Sequence, residues 1–376
     1  MKLGFITCQN PEEQSGGQSS ISFSIYKELC KHFECERFYH PLPNEIWWEK
    51  LLSKTRRIIG LKGVLPCFSE RRLQQICNTF CKFINRNDID VYFFNSMTQW
   101  INIFPTKPYY VYNDICFSTY KDIYFDSSKY LPACLNNIMK KEAFWLSKAS
   151  GVFLRSQWAC NLTVHDYELS GENIYNVGRG VSSSIPSHDI WQGEKNLVFI
   201  SREFFAKGGL ECFEAYKMIH NYDSSFQLFI IGEAPPENIL NYPGVSYCGW
   251  INKNSKEGKD KFSNILEKAM FLIHPTHKDT NPLVITEAGY WGCPSISVRA
   301  FAIPELIQDG ITGFLISTPV DYNDIFKIVI KCLNNMDEYI KIRVNTREYN
   351  CNYHTWSRVA KQMAFIIEQD FFSHEH

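Results

Sequence analysis

Short β-rich runs alternate with longer helix-like runs along most of this 376-residue chain, and this alternation restricts its fold more than any other feature. In the first half, strand-like runs cover residues 2–7, 91–94, 109–112, 151–154 and 174–177, and helical periodicity covers 21–32, 70–85, 135–148 and 157–167. Strands that alternate with helices form parallel sheets with helices on both faces. The chain is therefore predicted to be an α/β protein.

The alternation stops near the middle of the chain and then begins again. Residues 180–195 combine several serines with Pro186, which predicts a linker. Beyond it, strands at 197–200, 227–231, 271–274 and 295–298 alternate with helices at 209–218, 264–270 and 282–291, and a last helix covers 356–371. We predict two Rossmann-like domains, residues 1–185 and 186–355, that face each other across a cleft, with a C-terminal helical segment over 356–376. Ligands of such sheets bind beyond the carboxyl ends of the strands.

Composition excludes several classes of protein. The net charge is −1, so the overall balance does not favour nucleic acid as a partner. The fourteen cysteines are scattered without a Cys-x-x-Cys pair, which is typical of cytoplasmic thiols. No apolar run reaches the roughly eighteen residues that a spanning helix needs. His274 and His277 lack acidic neighbours at ligand spacing, so we expect no metal site.

Two cations follow the first strand of the second half. Arg202 comes directly after the strand, and Lys207 precedes Gly208 and Gly209 at the start of the next helix. Glycine lets the backbone approach a ligand closely, and the two positive charges would neutralise a diphosphate. Solvated loop cations are the alternative interpretation.

The segment from Asp279 to Pro294 places two carboxylates eight residues apart at the beginning of a predicted helix, with Pro282 at the first helical position. A helix N-terminus attracts phosphate, and the donor-binding candidates here are Thr280, Asn281, Leu283 and Glu287. Glu287 is expected to accept hydrogen bonds from vicinal hydroxyls such as those of a ribose. An ordinary helix with an acidic first turn is the alternative.

Two further candidates lie in the first half. Asp114 follows the strand at 109–112, so its carboxylate should stand at a strand end, where it would bind or deprotonate an acceptor hydroxyl. Gly16 and Gly17 lie in a polar loop after the first strand and are candidates for phosphate contact. The alternatives are an aspartate that caps the next turn and a flexible glycine turn.

Residues 46–72 mix tryptophans and aliphatic residues with lysines and arginines. Such a segment is expected either to contact an anionic membrane surface peripherally or to pack as an ordinary amphipathic helix.

These motifs together resemble the retaining glycosyltransferases of family 4. Their signature is an acidic residue, seven others and Glu, followed by Ala and a Gly-x-Pro turn, which Asp279, Glu287, Ala288, Gly292 and Pro294 match. The family also has the order Arg, short loop, Lys-Gly-Gly. This chain departs from the pattern in having Asp279 where Glu is usual.

The resemblance implies a GT-B fold and transfer of a hexose-type sugar from a UDP- or GDP-linked donor to a saccharide or lipid-linked acceptor, without a metal or other cofactor. It implies catalytic roles for Asp114 and Asp279, closure of the Gly16–Gly17 loop on the donor, and a last helix that returns to the first domain. Cell-surface polysaccharide synthesis, in the cytoplasm or peripherally at the membrane's inner face, is the expected setting. The alternative is a catalytically silent, sugar-nucleotide-binding regulatory subunit.

Overall fold

The computed structural model describes residues 1–10 and 18–373. The chain divides into two compact units, of which the first comprises Met1–Arg179 and Val359–His376 and the second comprises Gly180–Arg358. The first unit is thus built from two separate stretches of sequence.

A parallel sheet covered by helices forms the first unit. Its strands are β1 (Lys2–Thr7), β2 (Glu34–Tyr39), β3 (Val91–Asn95), β4 (Tyr109–Asn113), β5 (Gly151–Leu154) and β6 (Ile174–Asn176). Its helices are α1 (Gln18–Leu29), α2 (Trp47–Ile58), α3 (Glu70–Phe80), α4 (Phe117–Tyr124), α5 (Pro132–Ser147) and α6 (Gln157–Tyr167). The strand order is β2-β1-β3-β4-β5-β6, and all neighbouring strands are parallel.

Aromatic side chains fill much of the core beneath this sheet. The ring of Phe94 on β3 meets that of Trp145 on α5 edge to face, with centroids 5.4 Å apart. The indole nitrogen of Trp145 donates to the carbonyl of Ile103 at 2.7 Å, so its polar group is satisfied although the residue is fully buried. Buried aromatic pairs of this kind fix the sheet against its helices.

The second unit repeats this architecture. Its strands are β7 (Asn196–Ser201), β8 (Gln227–Gly232), β9 (Val245–Gly249), β10 (Ala269–His274), β11 (Ser295–Val298) and β12 (Gly313–Ile316). Its helices are α7 (Gly209–Tyr222), α8 (Glu237–Leu240), α9 (Lys256–Leu266), α10 (Leu283–Tyr290), α11 (Tyr322–Asn334) and α12 (Met336–Tyr353). The strand order is β12-β11-β10-β7-β8-β9, again all parallel. The strands that follow β7 in the chain, β8 and β9, lie on one side of it, and the strands that follow β10, β11 and β12, lie on the other side of the sheet. The strand order therefore reverses between the two central strands β7 and β10.

The residues predicted as a linker are attached to the second unit. Arg343 on α12 donates from Nε and Nη2 to the two carboxylate oxygens of Asp189, each at 2.7 Å. The guanidinium is almost completely buried, and such a bidentate pair fixes geometry as well as charge.

The last helix, α13 (Trp356–Ser373), packs with the first unit over most of its length. Val359, Met363 and Ile367 recur at helical spacing and are fully buried. Asp370 near its end accepts a hydrogen bond of 2.5 Å from the hydroxyl of Tyr110 on β4.

The prediction of two parallel sheets covered by helices is confirmed, but several elements differ from their predicted bounds. The strands β2, β9 and β12 were not predicted. The helix predicted over 264–270 is wrong in position, because α9 ends at Leu266 and Ala269 already begins the fully buried strand β10. Ser255 starts α9 earlier, since its hydroxyl accepts from the amide of Gly258.

Neither disulfide bonds nor membrane-spanning helices occur among the residues that the structure describes. All fourteen cysteines are free thiols. Across residues 1–10 and 18–373, no helix is both long enough and apolar enough to cross a membrane.

Candidate functional site

Four of the predicted site residues gather at the point where the strand order of the second sheet reverses. Arg202 and Lys207 follow β7, while Asp279 and Glu287 follow its neighbour β10. Ligands of open parallel sheets bind beyond the carboxyl ends of the strands at such a reversal. The topology therefore brings the two cations and the two carboxylates to one edge of the second unit.

Lys207 connects the two loops. Its ammonium lies 3.0 Å from Oδ2 of Asp279 and donates to the carbonyl of Lys278 at 2.5 Å. Nε2 of the buried His274, at the end of β10, lies 3.4 Å from the same carboxylate oxygen. Burial alone would raise the pKa of Asp279, but His274 and Lys207 outweigh it and hold the pKa below its ordinary value. Asp279 is therefore a carboxylate at neutral pH and accepts hydrogen bonds rather than donating a proton.

A close approach of the two backbones makes this pairing possible. Gly208 has φ of +80°, and a Cβ atom there would lie 2.1 Å from the carbonyl oxygen of Pro275. Only glycine fits both this conformation and this spacing. The Gly208 position thus brings the loop of Lys207 against the loop after β10.

Arg202 differs from Lys207 in its surroundings. Its side chain is exposed, and within the described ranges it forms no hydrogen bond or ion pair. This exposed guanidinium, five residues before the ion-paired Lys207 in the chain, is available to an anionic ligand.

Helix α10 begins at Leu283, and Pro282 is the residue before it. The ψ angle of Pro282 is 117°, which is extended, so the predicted placement of Pro282 at the first helical position is wrong by one residue. Thr280 and Asn281 precede it and are buried, and the carbonyl of Thr280 accepts from the amide of Ala302 at 3.1 Å. Thr280 and Asn281 therefore form the buried part of the loop that leads into α10.

Glu287 is buried one turn into α10, and its two carboxylate oxygens differ in their hydrogen bonding. Its Oε1 is 2.6 Å from the ammonium of Lys253 and 3.2 Å from the hydroxyl of Ser183. Within the part of the chain that the structure describes, Oε2 has no hydrogen-bond partner. A buried acceptor without a partner costs free energy, which a ligand hydroxyl would recover.

Lys253 was not predicted from the sequence. It lies in the loop between β9 and α9, and its ammonium also stands 4.5 Å from the centre of the Phe262 ring. No motif marks this lysine, and since β9 itself was missed, the sequence offered no reason to bring the loop to Glu287.

The predicted acceptor residue Asp114 lies just beyond β4 in the first unit. It lines a cavity of about 330 Å³ together with Ser96, Gln99, Tyr120 and Tyr124. Cys116, not Asp114, precedes α4 as its N-cap, so Asp114 does not cap that helix. A carboxylate beside amide, hydroxyl and aromatic groups suits a hydroxyl-rich ligand.

Two features around this cavity were not predicted. Nη1 of Arg155, at the end of β5, lies 3.8 Å from Oδ2 of Asp114, and the Arg155 side chain is buried. Ser96 has φ of +83°, a conformation that costs free energy for residues other than glycine and is found where the surrounding structure requires it. Neither residue belongs to a recognisable sequence motif.

A buried glutamate shapes the wall of the cavity. Glu142 on α5 accepts from the Thr98 hydroxyl, the Phe117 amide and the Tyr167 hydroxyl, each at 2.6 Å. Burial raises the pKa of this carboxyl in spite of those bonds. Glu142 thereby ties the start of α4, which follows Asp114, to α5 and α6.

Gly16 and Gly17 lie outside the described residues. Among the residues that are described, no group of three or more His, Cys, Asp or Glu side chains is arranged to hold a metal ion. The roles predicted for the site residues stay predictions.

Comparison with known proteins finds a family match within the second unit. Residues 194–335 match the family described as glycosyl transferases group 1. A GDP-mannose-dependent alpha-mannosyltransferase of Corynebacterium glutamicum is 23% identical over an alignment of 193 residues that covers 48% of this chain and 44% of that protein. The chain matches less than half the length of the curated relatives it resembles.

Solved structures match almost the whole chain. Sucrose-phosphate synthase from Thermosynechococcus elongatus has a TM-score of 0.72 at 14% identity and covers 99% of both chains. The Anabaena protein HepE, solved in complex with UDP and glucose, has a TM-score of 0.68 at 15% identity and covers 98% of this chain and 100% of its own. The fold is therefore GT-B, as predicted.

Proposed function

We propose that this protein is a retaining glycosyltransferase that moves a hexose-type sugar from a UDP- or GDP-linked donor to a saccharide or lipid-linked acceptor. The observation that carries the proposal is the arrangement at the strand-order reversal, where Lys207 lies 3.0 Å from Asp279 and the exposed Arg202 directly follows β7. The group 1 match over residues 194–335 supports it independently.

The donor's diphosphate is assigned to the two cations. As the bond between the anomeric carbon and the diphosphate oxygen breaks, negative charge grows on the leaving group, and Arg202 and Lys207 would neutralise it. The acceptor oxygen bonds to the same carbon from the face that the diphosphate leaves, and the acceptor's proton passes to the departing phosphate. The ribose of the donor is assigned to Glu287, whose Oε2 has no partner in the described part of the chain.

Asp114 is assigned to the acceptor. Its cavity offers the hydroxyl, amide and aromatic groups that bind saccharides, and Nη1 of the buried Arg155 lies 3.8 Å from its carboxylate. Asp114 would orient the attacking hydroxyl and strengthen its nucleophilic oxygen.

Because two side-chain cations supply the positive charge at the diphosphate, we expect turnover without a divalent metal. Undiminished nucleoside diphosphate release in the presence of a chelator is the expected result. Activity that is lost in chelator and restored by manganese would contradict the charge-pair assignment.

The first experiment is a thermal-shift screen against UDP, GDP and ADP, followed by release of the nucleoside diphosphate from the matching sugar donors. A ligand that binds only the folded state raises its stability, so the nucleotide that binds will raise the melting temperature. Donor hydrolysis or transfer that is lost in Arg202→Ala supports an enzyme. Binding without turnover across a panel of acceptors would favour a silent sugar-nucleotide-binding subunit, and no binding at all would end both.

A further inference from the structure

Helix α2 turns polar residues toward the protein and apolar residues toward solvent. Glu49 and Ser53 are buried, with exposed fractions of 7% and 2%, whereas Trp47 is 73% and Ile58 is 74% exposed. The Ser53 hydroxyl donates to the carbonyl of Val64 at 2.6 Å, which anchors the polar side. A surface helix normally buries its apolar face, so the reversed orientation leaves an apolar surface for something else to cover.

The exposed apolar residues of α2 lie on one face, which also contains the exposed Thr55. At about 100° per residue, they fall within an arc of roughly 140° on the helix. The apolar face consists of Trp47, Trp48, Leu51, Leu52 and Ile58 on α2, with Ile59 and Leu61 just beyond its end. Two of its members are tryptophans, which favour the boundary between water and lipid.

Cations border this face. Lys50, Lys54 and Arg57 lie along one side of the arc and are exposed, and the one acidic residue of α2, Glu49, is buried. Lys50 pairs with Glu45 at 3.2 Å but stays 57% exposed. The charge that α2 presents to solvent is therefore positive, which selects an anionic partner.

We propose that the apolar face of α2 docks this protein peripherally on an anionic lipid bilayer. An apolar arc that would lie in the headgroup region, bordered by lysine and arginine that meet lipid phosphates, is the arrangement that binds such surfaces. A second copy of this chain would bring the same cations toward each other, which the positive border disfavours.

The buried side of α2 is linked to the Asp114 cavity through a short segment. Val64 accepts from Ser53 of α2, and four residues later Phe68 lines the cavity, with its ring 5.6 Å from that of Phe117. A lipid-linked acceptor would therefore meet the protein close to its cavity. This consequence rests on the proposed transferase function. The docking itself can be measured without any substrate, so the two can fail separately.

The test is co-sedimentation of the full chain with vesicles of phosphatidylcholine alone and of phosphatidylcholine mixed with phosphatidylglycerol. We expect binding to the mixed vesicles, weakened by salt, and little binding to the neutral ones. Trp47→Ser with Ile58→Ser should lower the partition coefficient at least about tenfold. Lys50→Gln with Lys54→Gln should lower it about fivefold for each lysine removed.

Phe365→Ser is the matched control, since Phe365 is 63% exposed on α13 of the same unit and should leave vesicle binding unchanged. All these side chains are exposed, and unaltered thermal unfolding of each variant verifies the fold. Wild-type protein that does not bind anionic vesicles, or variants that bind like the wild type, would overturn the proposal. A dimer that Trp47→Ser dissociates, without vesicle binding, would show that a second copy covers the face instead.

Discussion

The ammonium of Lys207 lies 3.0 Å from the carboxylate of Asp279 and so joins the loops that follow two adjacent central strands, β7 and β10. The negative charge of Asp279 balances the positive charge of Lys207, while Arg202 remains exposed. A bound diphosphate would bring enough negative charge to compete with Asp279 for Lys207. The ion pair with Asp279 therefore holds the Lys207 side chain in position before a ligand binds.

Replacing Asp279 with asparagine should destabilise the fold by about 1.5–3 kcal/mol near neutral pH, because a charged hydrogen bond to Lys207 is lost. The pKa of Asp279 is lower in the folded protein than its ordinary value of 3.8. Its contribution is therefore present above pH 3.8 and is lost as the pH falls through the folded-state pKa. Urea unfolding of wild type and Asp279→Asn at a series of pH values measures this.

The control for this experiment is Asp309→Asn, which breaks the exposed ion pair with Arg299. Exposed pairs contribute roughly 0–1 kcal/mol, so this variant should change stability little. If the free energy of unfolding of Asp279→Asn stays below that of the wild type by the same amount at acid pH, the ion pair is not the cause of the difference.

Arg202→Ala and Lys207→Ala should each lower kcat about 10²- to 10³-fold, since each removes a donor aimed at developing charge. Their effects on stability should differ. Lys207→Ala leaves the buried side of Asp279 without its cation and should also lower the melting temperature, whereas Arg202 is exposed and should not. Lys259→Ala, an exposed cation on α9, is the control for both measurements. Equal kinetics for all three variants would remove the diphosphate assignment.

Glu287→Gln should reduce the protein's ability to distinguish a ribonucleotide from its deoxy analogues. If the open Oε2 accepts from a ribose hydroxyl, wild-type protein should bind the 2′- or 3′-deoxynucleoside diphosphate about tenfold more weakly than the ribonucleotide. The variant should lose most of that difference, because a neutral amide is a weaker partner. Calorimetric titration of both proteins with each nucleotide gives the coupling directly. Identical discrimination in both proteins would place the ribose elsewhere.

Asp114→Asn should lower kcat about 10²-fold or more while leaving nucleotide affinity unchanged. The substitution keeps the shape of the side chain but removes the charge that assists the acceptor hydroxyl. Nucleotide binding measured alongside transfer separates a loss of chemistry from a loss of fold. Tyr124→Phe, which removes one hydroxyl from the same cavity, is a milder matched variant and should retain most of the rate. A weakened nucleotide affinity in Asp114→Asn would count against an acceptor role.

Glu142→Ala should cost about 3 kcal/mol or more, because Thr98, Phe117 and Tyr167 each lose a buried acceptor. Glu142→Gln should cost less, since it keeps one acceptor oxygen and can donate to the Thr98 hydroxyl. Burial raises the pKa of Glu142 above its ordinary 4.5 in the folded state. The carboxyl's contribution is therefore complete below pH 4.5 and declines as the pH rises through the folded-state pKa.

Denaturant unfolding of both Glu142 variants across that pH range tests this account. Because glutamine does not titrate, its deficit relative to wild type should shrink as the pH rises. A deficit that grows with pH would mean that the carboxylate, not the carboxyl, is the stabilising form.

Every central strand was predicted from the sequence, but three of the four edge strands, β2, β9 and β12, were not. β10 and β4 were predicted because they are short, apolar and flanked by turns, and burial on both faces demands that composition. β9 is only partly buried at a sheet edge, with Ser246 and Tyr247 among its five residues, so its apolar signal is weak.

The same distinction applies to the site. Arg202, Lys207, Asp279 and Glu287 lie next to recognisable turns and so could be located from local sequence. Lys253 and Arg155 could not, because each reaches its carboxylate through tertiary packing: Lys253 lies 34 positions before Glu287 in the chain. Only the folded sheet order brings such residues together.

The first unit is completed by residues from the far end of the chain. During synthesis, β1 to β6 leave the ribosome well before α13, because the whole of Gly180–Arg358 is made in between. Until α13 arrives, the Tyr110 hydroxyl lacks Asp370, and the carbonyl of Asn176 lacks the side chain of Gln362. The second unit is continuous and can finish folding first. The first unit begins to be translated earlier, but it is completed later because it needs α13.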